Sequence, residues 1–350
     1  MAKIEKIYGI PHFHFDVEWW KEESGYAKDS ITILLKAMSL LEKYEEFRYT
    51  IDQVFSLLPF WEKFHEKRRK LIEFVKSGKV EIVGGTLCAP DENIPYGESL
   101  IRQFLYGKRW IKKNIGVVPE VAWEIDEFGH PEQLPQILKK CGFKYLAFAR
   151  GIEWDSKHDL DFIWRAPDGS EIVTHWFSAH YSGMIGLLPS KNMRLKSYEN
   201  EIIARVKHEG EKTPLNKLMV PFGTDFSVPK EEWIEFVRVW NNNNDIKIKL
   251  STPTEFFKNI DNNKLNVFEG EYNPVFTGCY ESREKIKKLA RESQRKVIDA
   301  EKFSSIAYLL GFPYPSETIE KIWINILKND FHDIICGTGT DKVYRNAIRR

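Results

Sequence analysis

The sequence predicts an α/β domain followed by a short helical domain. Short apolar segments alternate with amphipathic ones over the first ~260 residues. That pattern gives way near residue 280 to long helical periodicity. Acids and histidines stand directly after several of the apolar segments, where parallel α/β folds bind their ligands. Such alternation argues for a parallel sheet or barrel with helices outside.

Strands are predicted at Lys6–Ile10, Val80–Val83, Val121–Ile125, Tyr145–Ala149, Ile172–Trp176 and Leu218–Phe222. Each is a short run of aliphatic and aromatic residues. Helices fall between them. In Glu98 to Lys113, Leu100, Ile101, Phe104, Leu105 and Ile111 repeat at helical spacing. A second helix, Glu132 to Cys141, is closed by Gly142. The basic run Lys67–Arg68–Arg69–Lys70 reads as a solvated helix face, and Asn241 to Asp245 as a surface loop. Glu281 to Leu310 reads as one long helix with an apolar stripe of Ile286, Leu289, Val297, Ile298, Phe303, Ile306 and Leu310. Gly311, Pro313 and Pro315 break it. Ser316 is then expected to cap a helix running from Thr318 to Asn329.

Composition narrows the function. With 350 residues, 42% of them hydrophobic, the chain can bury a full core without staples. Its 52 basic and 51 acidic residues leave a net charge of +1, which argues against a nucleic-acid partner held by a basic footprint. The four cysteines, Cys88, Cys141, Cys279 and Cys336, are scattered, so neither a disulfide scaffold nor a cysteine zinc module is expected. No run of about 18 apolar residues offers a membrane span, and the first residues carry no signal-peptide core. A cytoplasmic protein without a membrane partner is expected.

Four polar segments need an explanation. His12–Phe13–His14–Phe15–Asp16 follows the first strand, and in an extended chain His12, His14 and Asp16 share one face. The competing reading is a pair of core histidines satisfied by the backbone. Asp126 ends the Val121 strand, where it could instead cap the helix near Pro131. Asp225 follows the Leu218 strand through Gly223–Thr224, where an Asx-turn is the alternative. His332 and Asp333 end an apolar helix, where a histidine can simply serve the helix dipole. Taken together the segments offer a His–Asp–Asp–His set. Two nitrogens and two carboxylates suit zinc, with manganese or cobalt as alternatives.

At these residues the sequence resembles glycoside hydrolase family 38, the zinc-dependent α-mannosidases. His14–Phe15–Asp16 with Trp19 is similar to the family's opening motif. Gly84–Gly85 followed by Asp91–Glu92–Asn93 is similar to its second. Trp123 to His130 resembles the nucleophile segment, and Arg150 stands at the position of an active-site arginine. Phe162 to Trp176, with Pro167–Asp168–Gly169, resembles the next strand pair, and Gly223 to Phe226 the acid/base segment. Gly278 to Arg283 resembles the start of the helical bundle, and Phe331–His332–Asp333 with Gly337 the last zinc-ligand motif.

The resemblance implies a (β/α)7-type parallel barrel over residues 1–275 and a helical bundle over 276–350. It implies zinc on His14, Asp16, Asp126 and His332, with Asp126 also the nucleophile and Asp225 the general acid/base. Trp19, Phe128, Arg150 and Asp333 would contact the substrate, a mannose-containing oligosaccharide or glycoside. Three positions depart from the family pattern: Thr86 where a Trp is usual, Phe331 where some members have His, and Glu18 in place of a small residue. Family members continue through large β-rich domains, whereas this sequence stops at Arg350. A homo-oligomer or a partner chain supplying that region is therefore expected as an alternative to a minimal form. Two other functions compete: a metal-dependent carbohydrate deacetylase, which would use metal-bound water, and a sugar-binding relative without turnover.

Overall fold

The computed structural model describes residues 4–183 and 196–350. The first strand, β1 (Lys6–Pro11), is flanked by β8 (Lys217–Phe222) and β9 (Lys247–Leu250), both parallel to it. Beside it lies a parallel pair, β2 (Tyr49–Ile51) and β3 (Val80–Ile82). A third ladder runs in the order β10 (Val267–Phe268), β6 (Asp161–Arg165), β7 (Glu171–Trp176), β5 (Tyr145–Phe148), β4 (Val121–Glu124).

The ladders are stitched together by single contacts. His12 bridges Thr50, and the Gly84 N–H donates to the Val121 carbonyl at 3.0 Å. No ladder joins β7 to β8 among the described residues, so the expected parallel barrel is not confirmed: the strands form three sheets, two parallel and one mixed, none closed. One pairing is also antiparallel. The Pro167–Asp168–Gly169 turn, with Gly169 at φ +82°, folds β7 back on β6 in register Asp161 to His175. A tight turn permits only that direction.

Helices α1 (Glu23–Lys43), α2 (Val54–Lys63), α3 (Arg68–Lys76), α4 (Gly97–Asn114), α5 (Leu134–Lys140), α6 (Lys196–Gly210), α7 (Glu231–Asn243) and α8 (Pro253–Phe257) connect the strands. They cover a core containing the fully buried Trp164, Trp176, Trp233, Trp240 and Phe104. Helix α4 buries Leu100, Phe104 and Ile111 but leaves Ile101 and Leu105 exposed, so its apolar face is narrower than predicted. Helix α7 absorbs Asn241–Asn243, part of the stretch expected to be a loop.

The C-terminal part contains α9 (Glu284–Leu309), α10 (Ser316–Asn329), α11 (His332–Ile335) and α12 (Asp341–Arg349). The predicted start of the long helix at Glu281 is corrected to Glu284. Thr277–Tyr280 form a tighter turn, and Arg283 sits in the left-handed region at φ 49°. Only the first half of its stripe is buried: Ile286 and Val297 are enclosed, but Phe303, Ile306 and Leu310 are exposed. Ser316 begins α10 and makes no side-chain cap. Within α1–α12 no helix is long and apolar enough to cross a membrane, among the described residues.

Candidate metal centre and active site

The strand ends converge on one buried cluster. After β1 the chain stays extended. Phe13, Phe15 and Val17 enter the core on one side, and His12, His14 and Asp16 are buried on the other. His14 pairs with the segment after β8: its N–H donates to the Thr224 carbonyl, and its carbonyl accepts from the Phe226 N–H. A close approach makes this possible. A Cβ on Gly223 would stand 2.0 Å from the His12 carbonyl oxygen, so only glycine fits there. Asp126 arrives from the end of β4. His332 arrives in α11, whose N–H donates to the Ala89 carbonyl at 3.1 Å. It does not end α10, as the sequence suggested: α10 stops at Asn329, and the extended Phe331 (φ −52°, ψ 135°) restarts the chain at His332.

His14, Asp16, Asp126 and His332 offer ligand atoms that all lie within 4.8 Å of one another. His14 Nε2 is 3.4 Å from Asp16 Oδ1 and 3.8 Å from Asp126 Oδ2. His332 Nε2 is 3.2 Å from Asp126 Oδ2 and 3.9 Å from Asp16 Oδ1. Metal–ligand bonds of 2.0–2.2 Å would place tetrahedral ligand atoms about 3.3–3.6 Å apart, so the spacing suits a zinc-sized ion. Both Nε2 atoms are buried and have no hydrogen-bond partner. Buried nitrogens left this way are costly unless something binds them. The residues present therefore fit a divalent metal.

Outside the four ligands, His332 Nδ1 meets the Ala89 carbonyl at 3.1 Å, and His14 Nδ1 faces Asp52 Oδ2 at 3.3 Å. The latter approach is angled and acts as a charge contact rather than a linear hydrogen bond. Asp52 follows β2 as Asp16, Asp126 and Asp225 follow theirs, but a three-residue strand leaves almost no signal in sequence. His12, by contrast, is the satisfied core histidine: Nε2 lies 3.1 Å from the Tyr181 carbonyl, and burial lowers its pKa to about 4.

Asp126 has two tasks. Its Oδ2 faces the histidines, while its Oδ1 accepts from Arg150 Nε at 2.5 Å. Burial opposes its ionisation, but the close approach of His332 and the charges of Arg150 and His14 outweigh burial and hold the carboxyl well below its usual range. Arg150 is held in turn by two of the sequence motifs. Glu92 Oε2 and His130 Nδ1 are 2.7 Å apart, and His130 Nε2 is 3.2 Å from the Arg150 carbonyl. Burial raises the Glu92 pKa far above normal and drops that of His130 to about 4. A protonated Glu92 then donates to Nδ1, and His130 donates from Nε2 to Arg150.

Asp225 is neither capped nor in an Asx-turn; Tyr181 Oη donates to its Oδ1 at 2.7 Å. Burial raises its pKa, and the charges of Asp16 and Asp126 add to the rise against His14 and Tyr181. Non-glycine residues with left-handed backbone flank this hydrogen bond, His180 at φ 69° and Phe226 at φ 49°. Strain of this kind concentrates at functional sites. Tyr181 had no sequence signal, since it lies beyond the strand end in no motif.

Among the other expected substrate residues, Phe128 meets His332 in a tilted contact with ring centres 5.5 Å apart. Asp333 Oδ2 is 3.5 Å from His332 Nε2, and burial, together with the Asp16 and Asp126 charges, raises its pKa to about 7. Trp19 is half-buried at the rim: its carbonyl accepts from the Thr340 N–H and its ring meets Trp20 at 5.3 Å.

The α/β scaffold thus brings together a buried two-histidine, two-aspartate cluster that could hold a metal ion and a further carboxyl, Asp225. The profile described as glycosyl hydrolases family 38 N-terminal domain matches residues 5–278, and the alpha-mannosidase middle domain matches 274–350. The chain belongs to glycosyl hydrolase family 38. It is 26% identical to human alpha-mannosidase 2C1 over 353 residues, covering 98% of this chain and 33% of that protein. It is 27% identical to an alpha-mannosidase of Saccharomyces cerevisiae over 367 residues, covering 98% of this chain and 32% of the relative. An alpha-mannosidase from Enterococcus faecalis V583 shares the fold with a TM-score of 0.89 at 22% identity, over 99% of this chain and 40% of that one. The chain thus spans about a third of the length of these two sequence relatives.

Proposed function

We propose that this chain carries the catalytic centre of a zinc-dependent, retaining α-mannosidase. The observation that carries the reading is the double engagement of Asp126, which faces both histidines through one oxygen and Arg150 through the other. Its depressed pKa keeps it an anion able to attack. Asp225, with a raised pKa, keeps a proton to give. Retaining glycosidases need these two roles on carboxyls about 5–5.5 Å apart.

In the first step an Asp126 oxygen bonds to the anomeric carbon. The bond to the leaving oxygen breaks, and the Asp225 proton passes to that oxygen. In the second, Asp225 takes a proton from water, the water oxygen bonds to the anomeric carbon, and the Asp126–carbon bond breaks. Tyr181 aims Asp225, and Arg150 aims Asp126. Phe128 and Trp19 offer apolar faces to the sugar, while Asp333 can accept its hydroxyls. His14, Asp16, Asp126 and His332 would hold zinc, with manganese or cobalt as substitutes. When bound, the metal supplies positive charge and a template for vicinal hydroxyls such as those at C2 and C3 of mannose.

We read the three stitched ladders as an opened (β/α)7-type barrel over 1–275, and 276–350 as the bundle that brings His332. The substrate class, terminal α-mannosides, rests on the alpha-mannosidase relatives. The test is hydrolysis of an aryl α-mannoside by metal-stripped protein before and after zinc is added, with a 2-fluoromannoside to trap the sugar on Asp126. Zinc-restored hydrolysis and a labelled Asp126 peptide are expected. Folded, zinc-loaded protein without hydrolysis would defeat the reading, and release of acetate from an acetylated sugar would replace it with a deacetylase.

A further inference from the structure

We propose that the cleft running from Arg150 past Trp154 binds a second, uncharged sugar ring, the leaving group of the proposed mannoside. The proposal rests on the mannosidase reading and adds to it a subsite and a residue that sets specificity.

The cleft has a volume of about 770 Å³, within the range of sites that take small ligands. It begins at the reacting groups. Arg150, which grips Asp126, is part of its wall, as is His180, the neighbour of Tyr181. The leaving oxygen must sit against the Asp225 carboxyl that protonates it. Arg150 stands between that carboxyl's Tyr181 partner, whose ring is 6.0 Å from the guanidinium, and Asp126. Arg150 and His180 thus tie the wall of this cleft to Asp126 and to the Tyr181–Asp225 pair, and a group leaving past that pair is assigned to it.

Its wall is built for a sugar. Trp154 is 78% exposed, an unusual position for so large an apolar ring. Phe276, also part of the wall, is 37% exposed and meets Phe128 in a tilted contact at 5.2 Å, so an aromatic surface runs from His332 outward. Aromatic faces receive the C–H face of a pyranose. Exposed carboxylates, Glu153 and Asp155, flank Trp154 and can accept hydrogen bonds from hydroxyls. Among the described lining residues the outer arginine, Arg205, is 3.4 Å from Glu209, and the neighbouring Lys212 donates to the Trp154 carbonyl at 3.3 Å. This balance disfavours a phosphorylated or otherwise anionic leaving group and favours a neutral one.

The test measures binding, so that turnover is not needed. Zinc-loaded full chain carrying Asp225→Asn is titrated calorimetrically with methyl α-mannoside and with an α-linked mannobiose, each with and without Trp154→Ala. The disaccharide is expected to bind about tenfold more tightly than the methyl glycoside, as one added stacking contact would give. Trp154→Ala should remove most of that advantage and leave methyl α-mannoside within about twofold. Because Trp154 is exposed, its truncation leaves the core intact. Equal binding of the two sugars, or equal weakening of both by Trp154→Ala, would overturn the subsite while leaving the mannoside reading in place. Binding of neither sugar would overturn both.

Discussion

Replacing Asp52 tests how much metal affinity lies outside the four ligands. Asp52 is 5% exposed, and its Oδ2 stands 3.3 Å from His14 Nδ1. With Nε2 turned towards Asp16 and Asp126, Nδ1 must carry the imidazole proton. A carboxylate facing that proton fixes the tautomer and makes Nε2 a better donor to a metal. His332 has only the Ala89 carbonyl in the corresponding place, so the charge contribution belongs to His14 alone. Loss of such a partner lowers metal affinity about 10–100-fold, or about 1.4–2.7 kcal/mol. Asp52→Asn keeps an acceptor and loses the charge, placing it near the lower end. Asp52→Ala loses both and belongs near the upper end. Zinc affinity is read by competition with a chromophoric chelator at fixed pH, with circular dichroism as the control for folding. Native-like Asp52→Ala protein with unchanged affinity would refute the reasoning. Packing against the Tyr181 and His332 rings, 5.5 and 5.4 Å away, would then be what orients His14.

Three further outcomes follow from the same geometry. Tyr181→Phe removes a hydrogen bond that lowers the Asp225 pKa, so the alkaline limb of the pH–rate profile should move to higher pH while kcat/KM falls about tenfold; an unmoved limb would show that Tyr181 does not set this acid. The metal-free protein should lose stability as pH rises. Burial lifts the folded pKa of Glu124 and Asp330 to about 8. Their contribution is therefore present below the ordinary carboxyl range and lost on the way to about pH 8. His14 and His332 have the same sign, since their carboxylate neighbours overcome burial and raise both folded pKa values. A melting temperature that climbs over this interval would contradict the assignment, and added zinc should flatten the histidine part of the fall. Finally, the hydrogen bond from Cys336 brings Cys279 to about 7 against the effect of burial, whereas Cys88, Cys141 and Cys336 are raised. Iodoacetamide at neutral pH should label Cys279 first by peptide mass mapping, and uniform labelling would show that its thiolate is not favoured.

What could be read from the sequence was what leaves a periodic or contiguous trace. The strands β1, β4, β5, β7 and β8 are mostly apolar runs, and each was visible within a residue or so. Strands β2 and β10, of three and two residues, were not read, whereas the equally short β3 was caught because its apolar residues run on into Val83. Sheet closure was not legible either, because it depends on which strand edges meet. The ends of α9 misled for a physical reason. Spacing marks a face of a helix but not what covers it, and the face bearing Phe303, Ile306 and Leu310 meets solvent. At the candidate site, His14, Asp16, Asp126 and Asp225 were legible because each follows one of three strands, β1, β4 and β8. Asp52 obeys the same rule but follows a strand too short to notice. Tyr181 obeys none, since only the folded chain brings it to Asp225.

The carboxyl groups of the centre also explain why its protonation and its metal affinity are one property. Asp16, Asp52, Asp126, Asp225 and Asp333 surround two histidines, with Arg150 as the fixed cation in contact with Asp126. So much negative charge in a buried place must be answered. In the metal-free protein protons answer it: burial, with the neighbouring carboxylates adding to it, raises the pKa values of Asp225 and Asp333, and the carboxylates raise those of His14 and His332 against burial. A dication would use the same lone pairs on His14 and His332 that those protons occupy. Metal uptake must therefore release protons, and affinity must weaken as pH falls. Asp126 stays ionised, because the histidines and Arg150 outweigh its burial. Its oxygen facing Arg150 remains clear of the ligand set. Asp126 is thus held as the anion that the proposed chemistry requires of a nucleophile, and part of that hold comes from outside the four ligands, through the Glu92–His130–Arg150 chain.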